Sequence, residues 1–151
     1  MSERNMELFL TDILVATFKI QHAVGNIETS GDLHADFIVF DAVLRELQIV
    51  GEATNNLIKS GILDDTFRNI VDFRNKITHE YFGVDHEIVW EVVKNGIPSL
   101  SWTIRNLISS APDKVSMLEA LECAEDDHKK AGQMIIVDSI VTYRRQLSYV
   151  I

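Results

Sequence analysis

The sequence predicts an all-α fold, and three observations carry that prediction. Apolar residues recur three and four positions apart through most of the first 110 residues. The 151-residue chain holds only seven Gly and two Pro, so obligatory breaks are few. Where breaks do occur they carry helix-boundary chemistry, with acidic residues opening segments and glycines closing them. A chain of this length can bury one real core.

The first helix is expected over residues 6 to about 28, with Leu8, Ile13, Phe18 and Ile20 among its apolar positions. Gly25-Asn26 offers a stop or a kink, and Ser30-Gly31-Asp32 reads as a turn. Residues 33–60 hold the strongest pattern, in which Phe37, Phe40, Val43, Leu44, Leu47 and Val50 lie on a wide apolar stripe. Gly51 stands inside that helix, where it costs about 1 kcal/mol relative to Ala. A glycine kept at such a position points to a second helix passing close. Glu52 beside it is read as solvated or paired. Ser60-Gly61 ends the segment, Gly61 being suited to the left-handed position after a helix.

Asp64-Asp65 opens a third helix, from about 65 to 78, by capping rather than by metal binding. Phe82-Gly83-Val84-Asp85 reads as a break, with Asp85 as N-cap of a helix over 85–95. Lys94-Asn95-Gly96 reads as the end of that helix and Pro98 as the start of the next, which runs to about Ser110. Trp102 is read as core or interface rather than as a platform for stacking RNA bases. From Pro112 the character changes. Residues 113 to about 132 fit a helix with Met117, Leu121 and Ala124 on one face, whereas 134–151 fits strand, helix or partner-binding arm. The expected division is a helical-bundle domain over residues 1–110 and a C-terminal extension over 111–151, helical at least in part.

The net charge of −9 excludes broad, non-specific coating of DNA, because phosphate affinity comes from Lys and Arg. It leaves room for a local basic cleft on an acidic body. The single cysteine, Cys123, has no partner for an internal disulfide, and no Cys/His set has zinc-site spacing. No apolar run approaches the roughly 20 residues that span a bilayer. Met1-Ser2-Glu3-Arg4-Asn5 is not signal-like, so the cytoplasm is the expected compartment.

The chemistry concentrates in Arg74-Asn75-Lys76-Ile77-Thr78-His79-Glu80-Tyr81. An arginine can hold a phosphate, a histidine can move a proton near neutral pH, and a phenol stands beside them. Structural roles also exist, since Arg and His near a helix end often serve its terminal carbonyls. Arg74 and His79 are five residues apart, which on one straight helix separates them by about 140°. They meet on one phosphate if the helix ends near Thr78 and His79 swings on the turn, or if a second copy of the chain completes the site.

Two blocks resemble one family. Asp41-Ala42-Val43-Leu44-Arg45-Glu46-Leu47-Gln48-Ile49-Val50-Gly51-Glu52-Ala53 resembles the second-helix signature of HepT-like proteins, in the HEPN superfamily. Residues 73–85, followed by Ile88-Val89-Trp90, are similar to that family's active-site block. Its pattern is Arg, four residues, His, one residue, Tyr; Arg74, His79 and Tyr81 match it, and Asn75 matches the polar residue usual after the Arg. The resemblance covers about residues 6 to 110 and none of the tail. It implies an antiparallel HEPN-type bundle of four to five helices that forms a homodimer, the motifs of both chains meeting in one cleft. It also implies the toxin of a type VII HEPN/MNT toxin–antitoxin system. Such a toxin is a metal-independent endoribonuclease without a cofactor, and tRNA is among the RNA substrates linked to members of this type. Arg74 and His79 would be catalytic and Asn75 positioning. Tyr81 would accept AMP from an MntA-like nucleotidyltransferase antitoxin. The superfamily also includes catalytically silent modules that bind nucleotide or the nucleotidyltransferase. Intact Arg74 and His79 favour the enzyme; the acidic net charge favours the silent module.

The residues allow the enzymatic chemistry on physical grounds. RNA carries its own nucleophile, the 2′-OH. A neutral His79 can accept that proton and a protonated one can supply the 5′-oxygen; the sequence leaves both open. Arg74 can place a permanently charged fork on the phosphate. The expected product has a 2′,3′-cyclic phosphate, and DNA resists. AMP on Tyr81 would add bulk and negative charge beside the phosphate site.

Overall fold

The structure is a computed structural model that describes residues 5–147 and Tyr149. Among the described residues all regular structure is helical: α1 (Met6–Ala23), α2 (Ser30–Ala35), α3 (Phe37–Lys59), α4 (Arg68–His79), α5 (His86–Glu91), α6 (Ile97–Ser109), α7 (Lys114–Lys130) and α8 (Met134–Gln146). A π-helical segment, Val92–Gly96, joins α5 to α6 in one continuous rod. Short 3₁₀ turns, Asp65–Phe67 and Tyr81–Gly83, lie on either side of α4. The expected all-α class holds, with more helices than the four to five of the expected bundle.

Side-chain caps set most of the starts. Asn5, Thr29, Asp36, Asp85 and Asp113 accept the amides of Leu8, Asp32, Val39, Glu87 and Ser116, while Asp64 caps the 3₁₀ turn through Thr66. Each cap of this type stabilises its helix by about 1 kcal/mol. Gly61 takes the left-handed conformation after α3 at φ 78°, as its place in the sequence predicts.

Expected boundaries move at four places. The first helix ends at Ala23 rather than at about residue 28. The segment expected over 33–60 divides at Asp36, whose ψ of 89° and capped Val39 amide start α3 afresh. The preceding Ser30-Gly31-Asp32 is the first turn of α2 rather than a loop, with Thr29 as its cap. Gly96 and Pro98 do not separate two helices, because Gly96 keeps helical angles of φ −65° and ψ −47°. Pro98 has no amide proton and its ring would strike the carbonyl four residues back. The wider π turn before it absorbs that misfit, so the rod bulges instead of ending.

α1 is the hub. It packs against α3, α6, α7 and α8, and α4 packs against α3. Leu10, Ile13 and Leu14 of α1 meet Val43, Leu47 and Val50 of α3, Leu100 and Ile104 of α6, and Met117, Leu121 and Ile140 of the last two helices in one core, each at most 2 % exposed. Burial of one such side chain stabilises the fold by about 1.5–3 kcal/mol. Residues 134–146, left undecided by their periodicity, form α8, and its Arg144 is fixed to Glu125 of α7 at 3.0 Å. Among the described residues no helix is long and apolar enough to cross a membrane.

Candidate active site

The site begins with the approach of α3 to α4. The two helices run antiparallel, Gly51 facing Arg74 and Asn55 facing Arg68. A Cβ on residue 51 would lie 2.2 Å from the Cβ and 2.6 Å from the Cγ of Arg74. Ordinary carbon contacts stand at about 3.5–4.0 Å. The missing side chain of Gly51 is therefore the slot in which the Arg74 stem lies, and the close pass expected from a mid-helix glycine is present.

From that slot the guanidinium reaches one residue along α3. Nη2 of Arg74 is 2.9 Å from Oε2 of Glu52. The arginine side chain is 21 % exposed and the glutamate 61 %, so the pair stands at the surface with the cation drawn inward. The Nε of Arg74 is buried without a hydrogen-bond partner. A shallow hollow of about 290 Å³ borders Glu52, and Arg45, Gln48 and Asp12 also line it. Arg74 is thus positioned by its stem, held at one end of its fork, and has an unused donor.

The other motif residues lie along α4 and its exit. The helix continues through His79, and Glu80 caps it by donating its amide to the Lys76 carbonyl at 2.8 Å. Arg74 and His79 therefore keep the separation of about 140° that one helix imposes. Of the two routes by which they can meet, a swing of His79 on the turn is not taken. His79 and Asn75 are exposed, and the His79 side chain makes no hydrogen bond, ion pair or ring contact among the described residues. Tyr81 starts the 3₁₀ turn that leaves α4; its side chain lies outside the described residues. Among the described residues no group of three or more His, Cys, Asp or Glu is arranged to hold a metal ion.

Residues 13–107, more than half of the chain, match the family model described as ribonuclease HepT-like. The chain belongs to that family. It is 31 % identical over 103 residues to a protein of Methanocaldococcus jannaschii named a putative RNase, covering 66 % of this chain and 94 % of the other. A protein of the same description from Caldanaerobacter subterraneus is 34 % identical over 80 residues, 51 % of this chain and 71 % of that one. A protein named probable ribonuclease HepT, from Thermococcus cleftensis, is 39 % identical over 69 residues, 44 % and 63 % of the two chains. No solved structure matches the chain.

Within this HepT-like chain the match closes near the end of α6, and α7 and α8 lie beyond it. Gly51, Glu52, Arg74, Asn75, His79 and Tyr81 all lie inside it. The sequence singled out the last four as site residues and left Glu52 as solvated or paired. Its partner turns out to be Arg74 itself, and the signal was its adjacency to the glycine that admits α4. The core half of the Trp102 reading is corrected: that ring is 70 % exposed. It is two residues from Leu100 and from Ile104, both buried, and so points off the inward face of α6.

Proposed function

We propose that this HepT-like chain is the toxin of a type VII HEPN/MNT toxin–antitoxin system, a metal-independent endoribonuclease acting on RNA, tRNA among its candidate targets. The observation that carries the reading is the seating of Arg74 in the Gly51 slot beside Glu52, inside the block matched by the family model. An arginine packed by its stem and aimed at the surface is organised to receive an anion.

The reaction needs no outside nucleophile. A His79 imidazole accepts the 2′-OH proton, the 2′-oxygen attacks the adjacent phosphorus, and the 5′-oxygen leaves with a proton from an imidazolium. A 2′,3′-cyclic phosphate and a 5′-OH result. Arg74 meets the charge that gathers on the phosphoryl oxygens, and Asn75 positions the phosphate or the imidazole. The angle between Arg74 and His79 on α4 supports a homodimer in which each chain completes the other's site. Phe37 and Ile38 at the start of α3 and Ile88 in α5, all exposed, support a covered surface near the α2–α5 contact. An MntA-like nucleotidyltransferase would silence the enzyme by placing AMP on Tyr81.

The Arg74–Glu52 pair also favours a second reading, a catalytically silent HEPN module that binds nucleotide or the nucleotidyltransferase, because the cation is already engaged. RNA cleavage in chelator separates the two. The enzyme yields cyclic-phosphate ends that disappear with His79→Ala while the fold is retained; absence of cleavage by the unmodified chain selects the silent module. Intact mass after co-expression with the nucleotidyltransferase tests the switch, through about 329 Da per AMP that a Tyr81→Phe chain does not gain.

A further inference from the structure

α6 leaves Trp102 70 % exposed at the edge of a hollow of about 590 Å³ between α1 and α6. The polar lining of that hollow is Gln21, Lys94, Ser101 and Arg105, with no carboxylate among the described residues. This is unusual in a chain with 23 acidic and 14 basic residues. Arg105 is flanked by two rings and bonded to one hydroxyl. Its guanidinium carbon lies 5.6 Å from the Phe18 ring and 5.1 Å from the Tyr143 ring, and its Nε donates to Ser101 Oγ at 3.4 Å. It makes no ion pair among the described residues. Lys94 is exposed and rests over the Trp90 ring at 5.2 Å.

Gln21 and Arg105 also line a second hollow of about 400 Å³ between α1 and α8. There His22, Ser139 and Thr142 supply polar groups, and Asp138 is the carboxylate. The two hollows share Gln21 and Arg105 in their walls, which makes a candidate path past Arg105. Its elements are an exposed indole, two cations, one carboxylate and several neutral polar groups. Bases stack on such a ring whatever their identity, while cations follow the backbone. A duplex keeps its bases stacked internally and cannot use the indole, so the path suits an unpaired strand. Arg74 points toward α3, whereas this path follows α1, α6 and α8. Tyr143 lies beyond the region matched by the family model, so the extension builds part of the path.

We propose that the groove between α1 and α6, continued beneath α8, holds a single-stranded RNA segment away from the motif, Trp102 stacking a base and Lys94 and Arg105 meeting phosphates. The choice of RNA rests on the ribonuclease reading above. A labelled single-stranded DNA oligonucleotide is the first probe, because stacking and phosphate contacts need no 2′-OH and the probe is not cleaved. Anisotropy titration of the full chain gives saturable binding. Trp102→Ala weakens it roughly tenfold, within the range that loss of one base–aromatic stack produces. Lys94→Gln lowers the slope of log affinity against log salt by about 0.7. Both side chains are exposed, so both variants keep the fold. With RNA, Trp102→Ala raises KM for a long substrate more than for a short oligonucleotide.

Equal binding by the unaltered chain and Trp102→Ala overturns the groove and leaves the ribonuclease reading standing. Trp102-dependent binding without any RNA cleavage keeps a strand-binding groove and removes the ribonuclease reading. Competition by AMP as effective, per molecule, as the oligonucleotide overturns the strand assignment in favour of a free nucleotide.

Discussion

Gly51→Ala tests the slot directly. Ala is worth about 1 kcal/mol over Gly in a helix interior, so on propensity alone the change stabilises. The added carbon would stand 2.2 Å from Arg74 Cβ, so α3 and α4 must part by roughly 1.3–1.8 Å to restore ordinary contact. Both clashing atoms are at the root of the arginine stem, where no torsion far out on the side chain can relieve them. Overpacking of this kind costs about 1–3 kcal/mol, and the net expectation is a loss of roughly 0–2 kcal/mol. Gly96→Ala is the matched control. Gly96 also has helical angles, and a Cβ there would meet Val92 Cγ1 at 3.6 Å, ordinary contact. That substitution should stabilise by about 0.5–1 kcal/mol. The propensity gain is common to both, so their difference isolates the clash. Urea denaturation should separate their midpoints by roughly 0.5–1.5 M for a slope near 2 kcal/mol/M. Under the proposed function Gly51→Ala also displaces Arg74 by more than 1 Å and lowers cleavage by up to about 100-fold. If Gly51→Ala raises the midpoint as much as Gly96→Ala does, the close approach is refuted and the account of Arg74 positioning falls with it.

Glu52→Ala should lower the cleavage rate about tenfold by releasing the Arg74 fork, yet cost under about 1 kcal/mol in a urea melt, because Glu52 is 61 % exposed; faster cleavage would make Glu52 a competitor of phosphate instead. Tyr143→Phe removes a hydroxyl that is buried without a partner and keeps the ring on Arg105, so stability should rise by about 1 kcal/mol in the same assay. Burial pushes the Tyr143 phenol from 10.0 up to about 12, so its contribution is fully present below pH 10 and is lost as pH rises toward 12. Tyr143→Phe should flatten that alkaline arm in thermal melts. Burial likewise raises the Glu46 carboxyl above 4.5, against the opposing charges of Lys19, Arg45 and His128. The folded chain then binds that proton more tightly than the unfolded one, so stability falls as pH rises through the folded value. Glu46→Gln should shrink the fall of the melting temperature as pH rises above 4.5.

What could be read in the sequence was governed by how local the cause was. α1, α3 and α4 carry their apolar stripe, caps and Gly61 stop within their own residues, and these elements appear close to where they were expected. Gly51 was legible because a glycine inside a good helix has a cost that only a neighbour can explain. Pro98 misled because helix entry and a bulged helix interior both tolerate proline, and the choice depends on packing of the rod against α1. Trp102 misled because large aromatics usually bury, and its exposure is a matter of which side of α6 turns to α1. For α8, β-branched residues blurred the local signal, and helix formation follows from Ile136, Ile140 and Tyr143 packing into the core made by other segments. The motif residues stand out in the sequence as a set on α4 and its exit, while their angular relation within α4 was visible only as a choice between two routes.

That angular relation and the Glu52 contact lead to the same requirement. A single chain presents Arg74 already paired and His79 about 140° away on the same helix. Neither is a defect of folding, since the slot that positions Arg74 is well built and α4 is capped by Glu80 just after His79. The pair also limits the positive field at the surface of a chain whose net charge is −9. A second chain bringing its own Arg74 and His79 would double the local cation density and supply the missing proton-transfer group at the right side of the phosphate. On this account dilution below the dimer dissociation range should abolish cleavage faster than it reduces strand binding at the α1–α6 groove, since each chain carries its own groove. Cleavage per chain that stays constant on dilution to monomers would refute the shared site.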